Sequence, residues 1–364
     1  MNDLPKLEIS DLVVELPIIQ GGMGIGISGV SLATAVANEG GVGVIATAGM
    51  GFDQPGYQQN PIGISTEVLR NDIRECRKRS GGAIGVNIMV ATSNFAEMAQ
   101  VAIEEHADVI FAGAGLPLDL PQFLCEESTT KLVPIISSAK AAAILTKRWK
   151  SRYNYIPDAF VVEGPLAGGH LGFKPEQIND NEYSLEKVLP QVIETVRQFE
   201  IEYGRRIPVI AAGGIYTGDD IGTMLAQGAA GVQMGTRFVT TTECDASVEF
   251  KTSYLSCAEK DIVIIASPVG MPGRAIRNSF LDEIQAGHST PMQCPYHCIQ
   301  TCNIKTGAYC IARALLNAKN GLLEKGFAFA GRNAYRAKSI ISVHELIETL
   351  KDEFSKRAIC ASIP

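Results

Sequence analysis

Short, almost continuous apolar runs of strand length punctuate the first two thirds of the chain: Leu16–Gln20, Val42–Ala46, Ala83–Val90, Asp108–Ala112, Val133–Ser137, Ala159–Glu163, Pro208–Ala212 and Gly231–Met234. Most are rich in Val and Ile and do not alternate with polar residues, which is the pattern of parallel strands covered on both faces. Between them lie stretches with helical spacing: Val30–Glu39, Ile64–Arg79, Ala96–His106, Ala139–Lys150, Leu185–Tyr203 and Asp219–Gln227. Eight strands alternating with helices over about 240 residues predict a (β/α)8 TIM barrel. A doubly wound sheet would instead carry one glycine fingerprint after its first strand and an acidic residue about 20 positions later. Here glycine-rich tips follow strands one, two, four, six, seven and eight. That distribution suits a barrel, whose strand ends converge on one face.

After Phe238 the alternation stops. Residues 239–327 mix helical patterns with Pro and Gly breaks and hold six of the nine cysteines. They predict a small helical domain over the C-terminal face of a barrel formed by residues 1–238. A last helical pattern, Ser342–Ser355, places Val343, Leu346, Ile347 and Leu350 on one face, so the 328–364 segment is expected to pack back on the barrel.

Charge and composition narrow the function. The 364 residues carry a formal net charge of −7, without the basic footprint of a nucleic-acid or anionic-membrane binder. No apolar run approaches the roughly 20 residues needed to span a bilayer. The N-terminal residues lack a basic region followed by an apolar one, so no signal peptide is read and a cytoplasmic location is expected. Nine cysteines in such a chain read as free thiols rather than a disulfide scaffold. Glycine is the informative excess, at 36 residues, well above the usual share of about 7%.

The glycines at the strand ends predict a ligand site. Ala212-Gly213-Gly214 after strand seven and Gly235-Thr236 after strand eight are positioned to hold a phosphate, because exposed backbone N–H groups converge there without an obstructing Cβ. Gly21-Gly22-Met23-Gly24 after strand one lets backbone amides approach a flat ligand beside a polarisable thioether. Asn87 interrupts an apolar strand, and a buried amide needs partners, from the backbone or from a ligand edge. In Glu163-Gly164-Pro165-Leu166-Ala167-Gly168-Gly169-His170, a histidine held after glycines can approach a ligand and exchange a proton near neutral pH. We take His170 as the candidate catalytic residue over a loop cap. His106, His288, His297 and His344 carry no comparable context.

Taken together, QGGMG, GVNIMV, EGPLAGGHLG, PVIAAGGI and GVQMGTRFV, in that order, resemble the motifs of the nitronate monooxygenase (2-nitropropane dioxygenase) family. That family includes flavin-dependent enoyl-ACP reductases and an NADH:quinone reductase subgroup. The resemblance spans roughly residues 12–240 and resumes at Met271-Pro272-Gly273-Arg274-Ala275-Ile276-Arg277-Asn278. It implies an FMN-binding barrel with a smaller domain over its C-terminal face. Gly22 and Met23 would line the isoalloxazine, Asn87 would contact the flavin, and Glu163 with Gly168 and Gly169 would shape its other side. Gly213, Gly214, Gly235 and Thr236 would hold the 5′-phosphate, with His170 at the substrate face. The implied activity is oxidation of alkyl nitronates by O2 to a carbonyl compound and nitrite. The alternative is reduction of an enoyl thioester or quinone with NAD(P)H at the same FMN site. A second copy of the chain stands as a candidate partner.

Leu166-Ala167 and Leu171 match neither subgroup pattern cleanly. The run Cys294, Cys298, Cys302 and Cys310 also departs from the usual zinc and ferredoxin spacings. On a helix the first three would share a face and converge on a metal or cluster. Otherwise they are reduced thiols packing as small hydrophobes. We take the second reading and assign no metal ligand, keeping an iron–sulfur cluster at these four residues as the alternative.

Overall fold

The computed structural model describes residues 4–288, 294, 296–302 and 307–361, with side chains to Arg357. The chain begins with an antiparallel hairpin, β1 (Leu7–Ile9) and β2 (Leu12–Val14), turned through Ser10 at φ 56°. There follow β3 (Ile18–Gln20), β4 (Gly43–Ala46), β5 (Ile84–Met89), β6 (Val109–Gly113), β7 (Lys131–Ile136), β8 (Phe160–Glu163), the two-residue β9 (Gly169–His170), β10 (Val209–Ala212) and β11 (Gly231–Met234). All of these except β9 form one parallel sheet in the order β3-β11-β10-β8-β7-β6-β5-β4. It closes on itself where Val42 bridges Ile19 in parallel, its N–H donating to Ile18 O at 3.0 Å. The protein is a (β/α)8 barrel.

The interior follows from the apolar runs. Ile19, Val44, Phe111, Val133, Val161 and Ile210 point inward and share one buried cluster with Leu7, Ile9 and Val14 of the hairpin. Gly85 makes room for the largest of them, because a Cβ there would sit 2.8 Å from the Phe111 ring. The outer faces of the strands meet α1 (Val30–Asn38), α2 (Pro61–Arg79), α3 (Phe95–Glu104), α4 (Ala139–Tyr153), α5 (Leu185–Tyr203) and α6 (Gly218–Ala226). Helix α2 starts three residues earlier than its apolar spacing predicts. Asn60 caps it by accepting from Gly63 N–H at 3.0 Å, and Pro61 occupies the first turn, where no N–H is needed.

Beyond the barrel come α7 (Thr236–Val239), α8 (Val248–Ser256), β12 (Ile262–Ala266), β13 (Pro272–Ile276), α9 (Ser279–Gln285), α10 (Ile311–Lys319) and α11 (Val343–Ala361). This part is mixed rather than helical. Strands β12 and β13 pair with β9 in a three-stranded antiparallel sheet, so the loop after β8 is itself one of its strands. The β12 run Ile262-Val263-Ile264-Ile265 is β-branched throughout, but its partner reads Pro-Gly-Arg-Ala-Ile, which hides the alternation that would have announced a sheet. Helix α11 lies on α6, with Val343, Leu346, Ile347 and Leu350 fully buried and Glu353 accepting from Gly218 N–H at 2.7 Å. No helix among the described residues is long and apolar enough to cross a membrane.

Candidate active site

A cavity of about 320 Å3 opens at the C-terminal ends of the barrel strands, within the usual range of roughly 300–1,000 Å3 for small-molecule sites. Gly22, Met23, Asn87, Glu163, Gly168, Gly169, His170, Gly213, Gly214, Gly235 and Thr236 all line it. The site residues read from the sequence are therefore gathered around one space, although they come from five different strand ends.

On the β3 side, Gly22 lies against Asn87: a Cβ on the glycine would fall 2.2 Å from the asparagine Cβ. Asn87 donates through Nδ2 to Phe111 O at 3.3 Å. Met23 is fixed by its N–H donating to Ser28 Oγ at 2.9 Å, and a Cβ on Gly235 would lie 3.7 Å from its Sδ.

On the β10–β11 side, Gly213 and Gly214 adopt φ 92° and 91°, conformations that an L side chain resists. A Cβ on Gly213 would also meet Gly164 O at 2.7 Å. The tips are braced by the segment after residue 326. Asn333 Nδ2 donates to Gly214 O at 2.6 Å, and Gly331 N–H donates to Thr236 Oγ1 at 2.9 Å. The Thr236 hydroxyl, used here as an acceptor, keeps its proton for a ligand. Nearby, Tyr216 is flanked by two guanidinium groups, Arg237 at 4.7 Å and Arg336 at 4.8 Å from its ring centre.

The loop after β8 supplies the titratable groups. The Glu163 carboxyl accepts no hydrogen bond from the described residues, and burial raises it to about 7. Gly168 allows close passage, since a Cβ there would meet the Ala330 carbonyl carbon at 2.6 Å, whereas a Cβ on Gly169 (φ 78°) would meet nothing within 4 Å. His170 pairs with Gly273 of β13. Its Nε2 lies 2.8 Å from Ser267 Oγ, and its ring meets Phe329 edge-on at 5.0 Å. Burial lowers the imidazole to about 4, so it is neutral at physiological pH.

Several of these partners carry no signal in the sequence. Ser267, Phe329, Gly331 and Asn333 lie outside every glycine tip, and only the antiparallel sheet and the final crossing bring them to the barrel mouth. The Gly273–Asn278 stretch is structural. Arg274, buried, donates through Nη1 to Pro165 O and to Ala167 O at 2.7 Å, clamping the loop that carries His170. Asn278 caps α9, and its Nδ2 donates to Leu323 O and Gly326 O.

Among the described residues, the run from Cys294 to Cys302 is not helical. Residues 296–298 form a coil, followed by the Ile299 bridge to Thr92 and a turn. The helix on which three thiols would share a face, the alternative to packing thiols, is not formed among the described residues. The strap is tied to the barrel through Ser93 N–H donating to Cys298 O at 3.1 Å and Gln300 N–H to Ala91 O at 3.0 Å. Cys298 and Ile299 line the cavity. His344 lies far along the sequence on α11, paired with Glu39 at 3.1 Å, and His106, His288 and His297 do not line the cavity.

The nitronate monooxygenase family model matches residues 6–353. The chain is 31% identical over 304 residues to a probable nitronate monooxygenase of Staphylococcus aureus (strain Newman), covering 75% of this chain and 78% of that one. It is 30% identical over 289 residues to the (3aS,4S,5R,7aS)-5-hydroxy-7a-methyl-1-oxo-octahydro-1H-indene-4-carboxyl-CoA dehydrogenase of Rhodococcus jostii (strain RHA1), covering 79% and 70%. Among solved structures, FabK from Thermotoga maritima superposes with a TM-score of 0.73 at 28% identity, over 96% of this chain and 95% of that one. The nitroalkane oxidase of Streptomyces ansochromogenes shares the fold, with a TM-score of 0.73 at 22% identity over 96% and 98%. The chain belongs to the nitronate monooxygenase family of flavin-dependent oxidoreductases.

Proposed function

We propose that the cavity binds FMN and that the protein oxidises an alkyl nitronate with O2, giving a carbonyl compound and nitrite. The observation that carries this reading is that the glycine tips and a neutral, half-buried His170 line the same cavity. The residues fit the cofactor. The turns at Gly213 and Gly214 and the free hydroxyl proton of Thr236 suit a phosphate. The gap beside Gly169 and the unpartnered Glu163 carboxyl leave room and polarity for a flat ring system. FMN would supply the electron-accepting ring that this chemistry requires.

The chain's own residues do the rest. Deprotonated His170 accepts a proton from the carbon beside a nitro group, or holds the nitronate that results. Ser267, on Nε2, fixes the orientation of the ring. Phe329 and the β13 backbone keep bulk water away from it. Replacing His170 with Asn is expected to impair turnover while FMN stays bound; unchanged turnover would remove that role.

A second reading has its own support. On the strap side the cavity wall is apolar (Phe52, Ile299, Ile311, Ala312 and Leu315), more apolar surface than a small nitronate covers. That wall suits the chain of an enoyl thioester or the ring of a quinone reduced by NAD(P)H. Reduction of the flavin by a nicotinamide in the absence of O2 distinguishes this activity from the first.

A further inference from the structure

Two arginines converge on one tyrosine beside the glycine tips. Tyr216 follows Gly214-Ile215 after β10 and lines the cavity. Arg237, the next residue after Thr236, places its guanidinium carbon 4.7 Å from the Tyr216 ring centre, and Arg336 places its own at 4.8 Å. Arg237 also donates through Nη1 to the Tyr216 hydroxyl at 3.4 Å. Its Nε is buried and has no hydrogen-bond partner among the described residues. Other arginines of this region are ion-paired, Arg332 with Glu259 at 2.6 Å and Arg357 with Asp219 at 3.1 Å. Arg237 and Arg336 make no such pair among the described residues. The carboxylates that reach this segment are occupied by backbone. Asp220 Oδ2 accepts from the N–H groups of Tyr216 and Thr217, both at 2.9 Å, and Glu353 Oε2 accepts from Gly218 at 2.7 Å. Two like charges held against one ring, each stripped of part of its hydration, favour an anion nearby.

We propose that Arg237 and Arg336 are positioning residues that act through Tyr216 to set a preference for FMN over riboflavin. The two flavins differ only in the phosphate, which carries a charge of about −1.5 to −2 near pH 7. The inference rests on the flavin reading and adds to it something the tips do not supply. The turns at Gly213 and Gly214 and the Thr236 hydroxyl offer hydrogen bonds but no net charge. The tips orient a phosphate, and the paired guanidinium groups attract it. Neither guanidinium lines the cavity, so their influence is one of field rather than contact, and binding of the flavin ring does not depend on them. Such a field is partly screened by salt, because the Debye length falls to a few ångströms at high ionic strength.

The test is the full chain, freed of bound flavin and titrated separately with FMN and with riboflavin while flavin fluorescence is followed. Wild type is expected to bind FMN more tightly, with an advantage that shrinks as salt is raised. Arg237→Met and Arg336→Met should each lower the ratio of FMN to riboflavin affinity by about five- to tenfold, as loss of one nearby charge implies. Riboflavin binding should change little, and Arg336→Lys, which keeps the charge, should restore most of the ratio. A ratio unchanged in both methionine variants overturns the proposal, as does an equal loss of both flavins, which would make the arginines structural. An FMN advantage indifferent to salt overturns it too. A wild type that binds the two flavins equally overturns it while leaving the flavin reading standing. One that binds neither contradicts the flavin reading and this inference with it. The salt dependence is read on wild type, so a variant that fails to fold does not remove the test.

Discussion

The Nε2 of His170 lies 2.8 Å from the hydroxyl of Ser267, 97 residues further along the chain. One comes from the barrel loop after β8 and the other from the link between β12 and β13, and the β9–β13 pairing holds the two together. Ser267→Ala removes the only described hydrogen bond to a half-buried imidazole, an interaction worth about 1 kcal/mol, or roughly a factor of five. We expect kcat to fall several-fold with KM and flavin content little changed. A rise in KM with kcat unchanged would mean that the serine serves binding alone.

His170 also sets a pH dependence. Its folded pKa, about 4, lies below the ordinary histidine value of 6.5 because burial disfavours the cation. Between these values the unfolded chain binds a proton that the folded chain does not, so this contribution to stability is complete above pH 6.5 and is lost as pH falls toward 4. Turnover should therefore keep the neutral base down to about pH 5. A kcat profile falling with a midpoint near 6.5 would show the imidazole to be solvated.

Glu163 acts in the opposite direction. Its folded pKa, about 7 against an ordinary 4.5, reflects burial alone. Here the folded state holds the extra proton, so stability falls as pH rises from 4.5 through 7. In flavin-free protein, Glu163→Gln should raise Tm relative to wild type at pH 8 and have little effect at pH 4.5. An equal change at both values would contradict a titrating carboxyl.

Two glycines of the site should respond differently to alanine. Gly22→Ala drives a methyl into Asn87, 2.2 Å from its Cβ, overpacking of a kind that costs about 1–3 kcal/mol. It should lower Tm and flavin retention together. Gly169→Ala meets nothing within 4 Å and bears only the left-handed backbone cost of about 1–2 kcal/mol. If flavin content falls more in the second variant than in the first, the packing argument is wrong.

Arg274→Met tests the clamp. It leaves the carbonyls of Pro165 and Ala167 without their buried donor, at about 1–3 kcal/mol for each unsatisfied group. Increased proteolysis between residues 164 and 172 is expected, and protection equal to wild type would rule the clamp out.

How much of this was legible in the sequence varies with the range of the interaction. The barrel strands were readable because each is continuously apolar, as Val209–Ala212 illustrates, and the site glycines because they sit at strand ends. The β12–β13 sheet was not, because Gly273 and Arg274 interrupt the alternation that would have marked β13. Ser267 and Asn333 reach the site only through tertiary folding, and neither lies near a motif. Arg274 was visible as a motif residue, but its task, gripping backbone carbonyls 107 and 109 positions away, was not. The cysteine spacing left a helix and separately packed thiols both open, and residues 296–298 are a coil tied to Ser93.

The most direct test of the account is the visible spectrum of the purified protein, recorded without oxygen while an alkyl nitronate is added and, separately, NADH and NADPH. A flavin spectrum is expected from the outset, with rapid bleaching by the nitronate in wild type, slowed in His170→Asn at equal flavin content. Bleaching by a nicotinamide alone would move the assignment to the reductase reading. A protein that stays free of bound flavin after FMN is supplied would contradict the account itself.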